Sequence, residues 1–232
     1  QYGICSFSLT WLQDYLKGQS QYVYYNGVSS SLRFITCGVP QGSILGPLLY
    51  LIYINDIVET SNFFDFTLYA DDTTVLVSDY SLDRLVCNIN TELPLISKWF
   101  MDNKLSLNID KSCFILFHHP QRQIDNDSIR VHIGGSVLKN VSSTKFLGLY
   151  IDQNITWKDH IKYIGNRIAK NTGIIRKISW YVPSHVLLLL YYSLIYPYLI
   201  YCNFIWGVNY KSRLLSLNVL QNRVLRIIFR LP

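Results

Sequence analysis

Two adjacent carboxylates stand at the centre of a regular pattern: Phe66-Thr67-Leu68-Tyr69-Ala70-Asp71-Asp72-Thr73-Thr74-Val75-Leu76-Val77. Apolar residues alternate with small polar ones on both sides of Ala70-Asp71-Asp72, the period-2 signature of strand, tight turn and strand. Asp71 and Asp72 are therefore expected at the tip of a hairpin whose arms are half buried. Two carboxylates about 4 Å apart near a protein surface repel by roughly 4 kcal/mol at an effective dielectric of 20. A divalent cation removes that penalty, and hard oxygen ligands suit magnesium. An isolated Asp-Asp pair is more often a solvated turn, because Asp favours turns. The rest of the chain decides between the two.

A second stretch, Cys37-Gly38-Val39-Pro40-Gln41-Gly42-Ser43-Ile44-Leu45-Gly46-Pro47, combines glycines, prolines and one amide, which predicts a loop of fixed shape. Pro47 is expected to open a helix from Leu48 to Ile57 that is apolar on nearly every face and so buried. By itself this stretch also reads as an ordinary turn leading into a helix.

The elements that would position these residues follow from periodicity. Leu9, Leu12 and Leu16 fit a short helix ending at Gly18, and Asn26-Gly27 predicts a hairpin between Gln21–Tyr25 and Leu32–Thr36. A helix runs from Leu82 to Phe100, N-capped by Ser81, with Asp83 in its first turn and Pro94 expected to kink or divide it. Lys111 follows the alternating Leu105, Leu107 and Ile109, and Ile129–Ile133 with Gly134-Gly135 reads as another hairpin. Pro120 to Ser128 is polar and expected as an exposed loop.

Beyond Asp152 the pattern is helical, starting at a capping-box-like Thr156-x-x-Asp159. Ile161, Ile164, Ile168, Ile175 and Ile178 form one apolar stripe, and Leu217, Leu220, Val224 and Ile228 another. Arg223, Arg226 and Arg230 fall in a sector beside the second stripe. Leu187 to Trp206 is long enough to span a bilayer, but Pro197 interrupts it and its tyrosines are scattered, so broken buried helices are the expectation.

Composition sets the outer bounds. The 232 residues are 50% hydrophobic and 15% aromatic, ample for a real core and unlike a disordered segment. Five cysteines, odd in number and without a Cys-x-x-Cys pair, argue against a disulfide framework or zinc knuckle. The chain opens on Gln1 without a signal-peptide pattern and is expected to be a piece of something longer. An intracellular location follows, nucleus and/or cytoplasm, not secreted. Residues 1–152 hold 10 Lys/Arg and 14 Asp/Glu, a net of −4; residues 153–232 hold 11 Lys/Arg and one acid, Asp159, a net of +10. A charged stripe is usually a solvated face, but one with so few acids favours phosphate contacts and a polyanionic partner. The expected domain boundary lies near Asp152, dividing the chain into 1–152 and 153–232.

Taken in order, Gly38–Leu49 and Tyr69-Ala70-Asp71-Asp72 closely resemble reverse transcriptases of non-LTR (LINE-type) retrotransposons. The likeness continues through Leu105–Ser112, which resembles that family's lysine-bearing palm motif, Thr144–Asp152, which resembles its primer-grip hairpin, and Trp157–Ile161, which resembles the start of its thumb. The fold implied is α/β (α+β): a partial right-hand polymerase palm with a mostly antiparallel sheet over 1–152, then an all-helical basic thumb over 153–232, with the fingers missing. The family carries a further metal-binding Asp upstream of these motifs, which Gln1 to Ser31 does not offer, so truncation at the N-terminus is expected.

The resemblance implies RNA-directed DNA polymerisation: a primer 3′-hydroxyl attacks a dNTP on an RNA template, with two magnesium ions, or manganese, about 3.5–4 Å apart. Asp71 and Asp72 become the metal-binding and catalytic carboxylates, Asp71 the firmer of the two. Gln41 and Gly42 become template or nucleotide contacts. Tyr69 is either a contact near the primer terminus or a cross-strand aromatic of the palm. Lys111 is either the acid for the departing pyrophosphate or a solvated lysine. Arg223, Arg226 and Arg230 become backbone contacts. The partners are an RNA template, a DNA primer, dNTP and the upstream fingers and palm segment of the same parent polyprotein, with no membrane. The alternatives are a retroelement remnant that binds nucleic acid without chemistry, and a small integral-membrane protein.

Overall fold

The computed structural model describes residues 3–36, 38, 39, 42–122, 124 and 129–231. Most of the expected loop before Ile129, and Gln41, lie outside the described residues. The chain forms two compact units, Gln1–Ser106 and Leu107–Pro232. This is a division by packing; the composition boundary near Asp152 lies inside the second unit.

The first unit opens with α1 (Ser6–Leu16), which buries none of its residues. Strands β1 (Ser20–Gln21), β2 (Tyr24–Tyr25), β3 (Val28–Ser29) and β4 (Arg33–Phe34) follow. Asn26 and Gly27 turn at φ +48° and +80°, the pair of left-handed residues that a tight hairpin requires. The expected single ladder is split, β2 pairing β3 and β1 pairing β4. Ser30 makes the break: its hydroxyl accepts from the Val23 N–H at 2.9 Å, while its own N–H donates to the Val23 carbonyl.

Helix α2 (Leu45–Ile54) begins three residues earlier than expected and passes into a 3-10 turn, Asn55–Thr60. The Ser43 hydroxyl accepts from the Gly46 N–H at 3.1 Å, and Pro47 is tolerated because it stands in the first turn, where its missing donor leaves no bond unmade. The expected burial on every face is corrected: Gly46 and Ile54 are buried, while Leu48 and Leu51 are 54% and 50% exposed. The helix packs mainly on the 3-10 turn that follows it, which covers one side only.

Strands β5 (Asp65–Tyr69) and β6 (Asp72–Leu76) form the predicted hairpin. Helix α3 (Leu82–Asp102) starts as read from the sequence: Ser81 caps the Arg84 N–H, and Asp79 clamps Arg84 through both carboxylate oxygens at 2.7 Å. Pro94 does not divide α3, which runs 21 residues. Its buried face, Leu85, Leu93, Ile96 and Phe100, forms the core of this unit with Ile54, Ile57 and Phe64.

In the second unit a 3-10 turn (Ile109–Lys111) leads to β7 (Cys113–Phe114), β8 (His132–Ile133), β9 (Ser136–Val137), β10 (Lys139–Asn140), β11 (Ser143–Phe146) and β12 (Leu149–Asp152). Among the described residues the strands of the whole chain form six two-stranded ladders, five antiparallel and one, β7 with β10, parallel. Five helices follow: α4 (Lys158–Ile178), α5 (Ser184–Leu194), α6 (Tyr196–Ile200), α7 (Asn203–Trp206) and α8 (Lys211–Phe229). Both isoleucine and leucine stripes face one core, in which Ile164, Ile168, Ile175, Leu187, Val224 and Ile228 are almost fully enclosed.

The start of α4 departs from the sequence reading. Thr156 and Asp159 form no capping box; the carboxylate of Asp152 instead accepts from the backbone N–H of Asn154, Thr156 and Trp157. Trp157 stands in the left-handed region at φ +61°, turning the chain from β12 into α4. At the other end of the hairpin, the Tyr201 hydroxyl donates to the Leu147 carbonyl at 2.6 Å, and a Cβ at Gly148 (φ +88°) would meet the Tyr201 ring at 3.1 Å. The run Leu187 to Trp206 is broken near Pro197 as expected, and again at Cys202, so α5, α6 and α7 are short. Among the described residues, no helix is long and apolar enough to cross a membrane.

Candidate active site

The β5–β6 hairpin shows how sequence alternation builds a site. Phe66 and Leu68 turn their side chains inward, half buried, while Thr67 and Tyr69 face out. Phe66 meets Phe64 edge to face at 6.3 Å, and Phe64 is part of the core, so the base of the hairpin is anchored in the first unit. The ladder registers Tyr69 directly against Asp72, which leaves Ala70-Asp71 as a two-residue turn. Ala70 occupies the left-handed region at φ +50°, a conformation that costs a residue with a Cβ about 1–2 kcal/mol.

The tip therefore carries Asp71 and Asp72 on consecutive residues, both exposed. Tyr69, 62% exposed, shares its face of the ladder with Asp72, because directly paired residues point the same way. Its exposure disfavours the core-aromatic reading. Neither carboxylate has a cationic partner among the described residues. Those residues also contain no cluster of three or more His, Cys, Asp or Glu side chains able to hold a metal. Asp71 and Asp72 fit magnesium as a pair of hard oxygen donors, with water to complete its six-fold shell.

One residue of α2 that the sequence reading did not single out feels the charge of the turn. The Tyr50 hydroxyl is pushed above its ordinary range, first by burial and second by the negative charge of Asp71. A tyrosine inside an apolar run reads as core; its only signal is a phenol on the helix that follows the Gly42 loop.

The remaining site residues belong to other elements of the two units. Gly42 lies before α2 at φ +83°, with nothing within 4 Å of where a Cβ would stand, so its requirement is conformational rather than steric. Gln41 is outside the described residues. Lys111 belongs to the second unit, at the end of a 3-10 turn whose cap is Asn108, and its side chain is exposed. Arg223 and Arg226 are exposed on α8, but Arg230 lies beyond the helix end at φ +52°. The expected three-arginine sector is thus a pair on the helix and a third outside it. The helix stops there because the Leu231 N–H folds back onto the Arg226 carbonyl at 2.9 Å.

Comparison with known proteins gives the family. The family described as "Reverse transcriptase (RNA-dependent DNA polymerase)" matches residues 2–168. The RNA-directed DNA polymerase from mobile element jockey of Drosophila melanogaster is 28% identical over 235 residues, 95% of this chain and 25% of that protein. Its counterpart in Drosophila funebris is 27% identical, again over 95% of this chain and 25% of the relative. A probable RNA-directed DNA polymerase from transposon X-element of Drosophila melanogaster is 27% identical over 94% of this chain and 24% of its own length. The chain thus spans about a quarter of the curated relatives it matches. No solved structure matches it. Since the family's match runs through both the Asp71-Asp72 turn and the Lys111 segment, and the relatives named above come from mobile elements, the chain belongs to the reverse transcriptase family in its non-LTR retrotransposon branch.

Proposed function

We propose that this chain supplies part of the polymerising site of an RNA-directed DNA polymerase, with 1–152 serving as partial palm and 153–232 as a helical basic thumb. The observation that carries this reading is the Tyr69-Ala70-Asp71-Asp72 tip: two consecutive exposed carboxylates, without countercharge among the described residues, on an anchored two-residue hairpin. Magnesium, or manganese, bound there would neutralise the dNTP phosphates and lower the pKa of the primer hydroxyl. Asp71 and Asp72 hold it from one side; the remaining ligand comes from another part of the parent polyprotein. The name "Pol polyprotein" borne by a related protein of Bradysia coprophila supports that arrangement.

Tyr69, beside Asp72, packs against the primer terminus. Gln41 and Gly42 contact template or nucleotide, Gly42 because its left-handed backbone exposes an N–H without a side chain in front of it. Lys111 holds a proton for the departing pyrophosphate. Arg223, Arg226 and Arg230 contact the backbone of the RNA template and DNA primer, supported by the net charge of +10 over 153–232. The site of action is intracellular, nucleus and/or cytoplasm, a reading supported by free Cys5, Cys87, Cys113 and Cys202.

The test is Asp71→Asn in the parent protein. Primer extension should fall by more than about 100-fold, the scale on which a transition-state charge contact acts, while primer–template binding stays within about twofold. Equal loss of binding would make the hairpin a structural element.

A further inference from the structure

The turn between α4 and α5 places two large rings in solvent on a rigid base. Trp180 and Tyr181 are each 85% exposed, and neither belongs to any described aromatic pair. Their neighbours do the opposite: Ile178 and Val182 pack against the hydrophobic core. The backbone between is closed by hydrogen bonds, the Tyr181 N–H to the Ile178 carbonyl at 2.9 Å and the Ser179 hydroxyl to the Arg176 carbonyl at 2.8 Å. The rings are thus held outward by a pinned turn.

Helix α4 leads up to them with a line of cations. Lys162, Lys170 and Lys177 recur at steps of eight and seven residues, which keeps them on one face, and all three are exposed. At 1.5 Å per residue the line is about 22 Å long and ends one turn before Trp180. Between them on that face stand Asn166 and Gly173, neither charged nor bulky. Arg176 adds a further exposed cation beside the rings, and the one acid between 153 and 232 is Asp159, at the far end of α4.

We propose that this turn is a stacking platform for unpaired bases of a single-stranded nucleic acid whose phosphates run along Lys162, Lys170 and Lys177. The proposal rests on the nucleic-acid reading of the helical segment and deepens it by assigning a single-strand site. Every base has a π-face, so exposed Trp and Tyr rings bind bases without regard to sequence, while evenly placed lysines follow the backbone. Tryptophan, tyrosine and lysine also mark membrane interfaces. Here the large apolar side chains exposed between Lys162 and Tyr181 are Ile174, Trp180 and Tyr181, all toward one end, whereas a helix lying in a bilayer surface presents a continuous apolar face. The charged line extending away from the rings matches a strand instead.

The experiment uses the full chain and three probes: a ten-residue oligothymidylate, an abasic oligomer of the same length, and vesicles of mixed phosphatidylserine and phosphatidylcholine. Binding of oligothymidylate should quench the emission lost in Trp180→Phe, and it should exceed binding of the abasic oligomer. The double variant Trp180→Ala/Tyr181→Ala should weaken oligothymidylate by about 5- to 150-fold for each base stacked and bring it level with the abasic oligomer. Duplex primer–template binding should stay unchanged in that variant, and Trp180→Phe should restore part of the single-strand affinity. Retained thermal unfolding of the variants excludes a folding defect. Equal binding of both oligomers by the wild-type chain overturns the platform while leaving duplex binding by the thumb intact. Absence of binding to all nucleic acids overturns both readings, and a Trp180 response to vesicles alone assigns the rings to a membrane surface.

Discussion

Replacing Asp152 by alanine should loosen the junction on which the second unit is built. The carboxylate accepts four hydrogen bonds: Oδ1 from the N–H of Asn154 at 3.2 Å and of Thr156 at 2.9 Å, Oδ2 from the N–H of Trp157 at 2.7 Å and the Thr156 hydroxyl at 3.2 Å. Bonds to a charged acceptor contribute about 1.5–3 kcal/mol each, but water can reach this half-buried group and the four are not additive. A loss of about 2–3 kcal/mol is the expectation, close to the upper range for removing a helix cap. At roughly 4 °C per kcal/mol for a unit of this size, that lowers the melting temperature by about 8–12 °C. Asp152→Asn keeps one acceptor oxygen for Asn154 and Thr156 but turns an amide toward the Trp157 N–H, so it should fall between wild type and alanine. The assay is thermal unfolding followed through the near-UV signal of Trp157 and Trp206. An alanine variant melting within about 1 °C of wild type, or an asparagine variant less stable than alanine, would refute the claim that this carboxylate sets the turn.

Two further outcomes follow from the second unit and its helices. His160 is 2% exposed, and burial pulls its pKa below the ordinary 6.5; Nδ1 accepts the Tyr150 N–H, so the neutral ring carries its proton on Nε2. The folded chain then binds fewer protons than the unfolded one, so stability should be full above 6.5 and fall as pH drops below it. Melting temperatures between pH 5 and 7 should show this slope, flattened in His160→Asn; an unchanged slope in that variant would assign it to other groups. Arg223→Gln/Arg226→Gln should lower the salt slope of log K for primer–template duplexes by about 1.4–1.8, two phosphates at roughly 0.7–0.9 each. The loss should be the same for every sequence, and a slope unchanged from wild type would leave the pair as a solvated face.

Local pattern carried the parts of the site that are themselves local. The alternation around Ala70-Asp71-Asp72 and the Asn26-Gly27 turn could be read directly, because side-chain period and turn chemistry depend on a few consecutive residues. What failed depended on partners distant in sequence or on competing local acceptors. The apolar character of α2 announces a need for cover, but nothing in Leu48 or Leu51 says which surface provides it. The spacing of Thr156 and Asp159 is that of a familiar cap, whereas Asp152 takes the N–H groups of Thr156 and Trp157 from the strand before them. The influence of Asp71 on Tyr50 links residues about twenty apart in sequence, which no local pattern encodes. Arg230 keeps its helical spacing in the sequence but loses it at the left-handed residue that ends α8.

The contact between Gly148 and Tyr201 has a mechanical consequence. The β11–β12 hairpin is fastened at both ends, by Asp152 to the start of α4 and by the Tyr201 hydroxyl to the Leu147 carbonyl at its turn. A lever pinned at two points has no hinge of its own, so the hairpin is held to the helical segments at both ends. The fastening is also reciprocal in sequence space. A side chain at 148 must displace the Tyr201 ring as well as adopt a left-handed backbone, and a smaller residue at 201 releases the turn. A change at either position therefore disturbs the contact that the other makes.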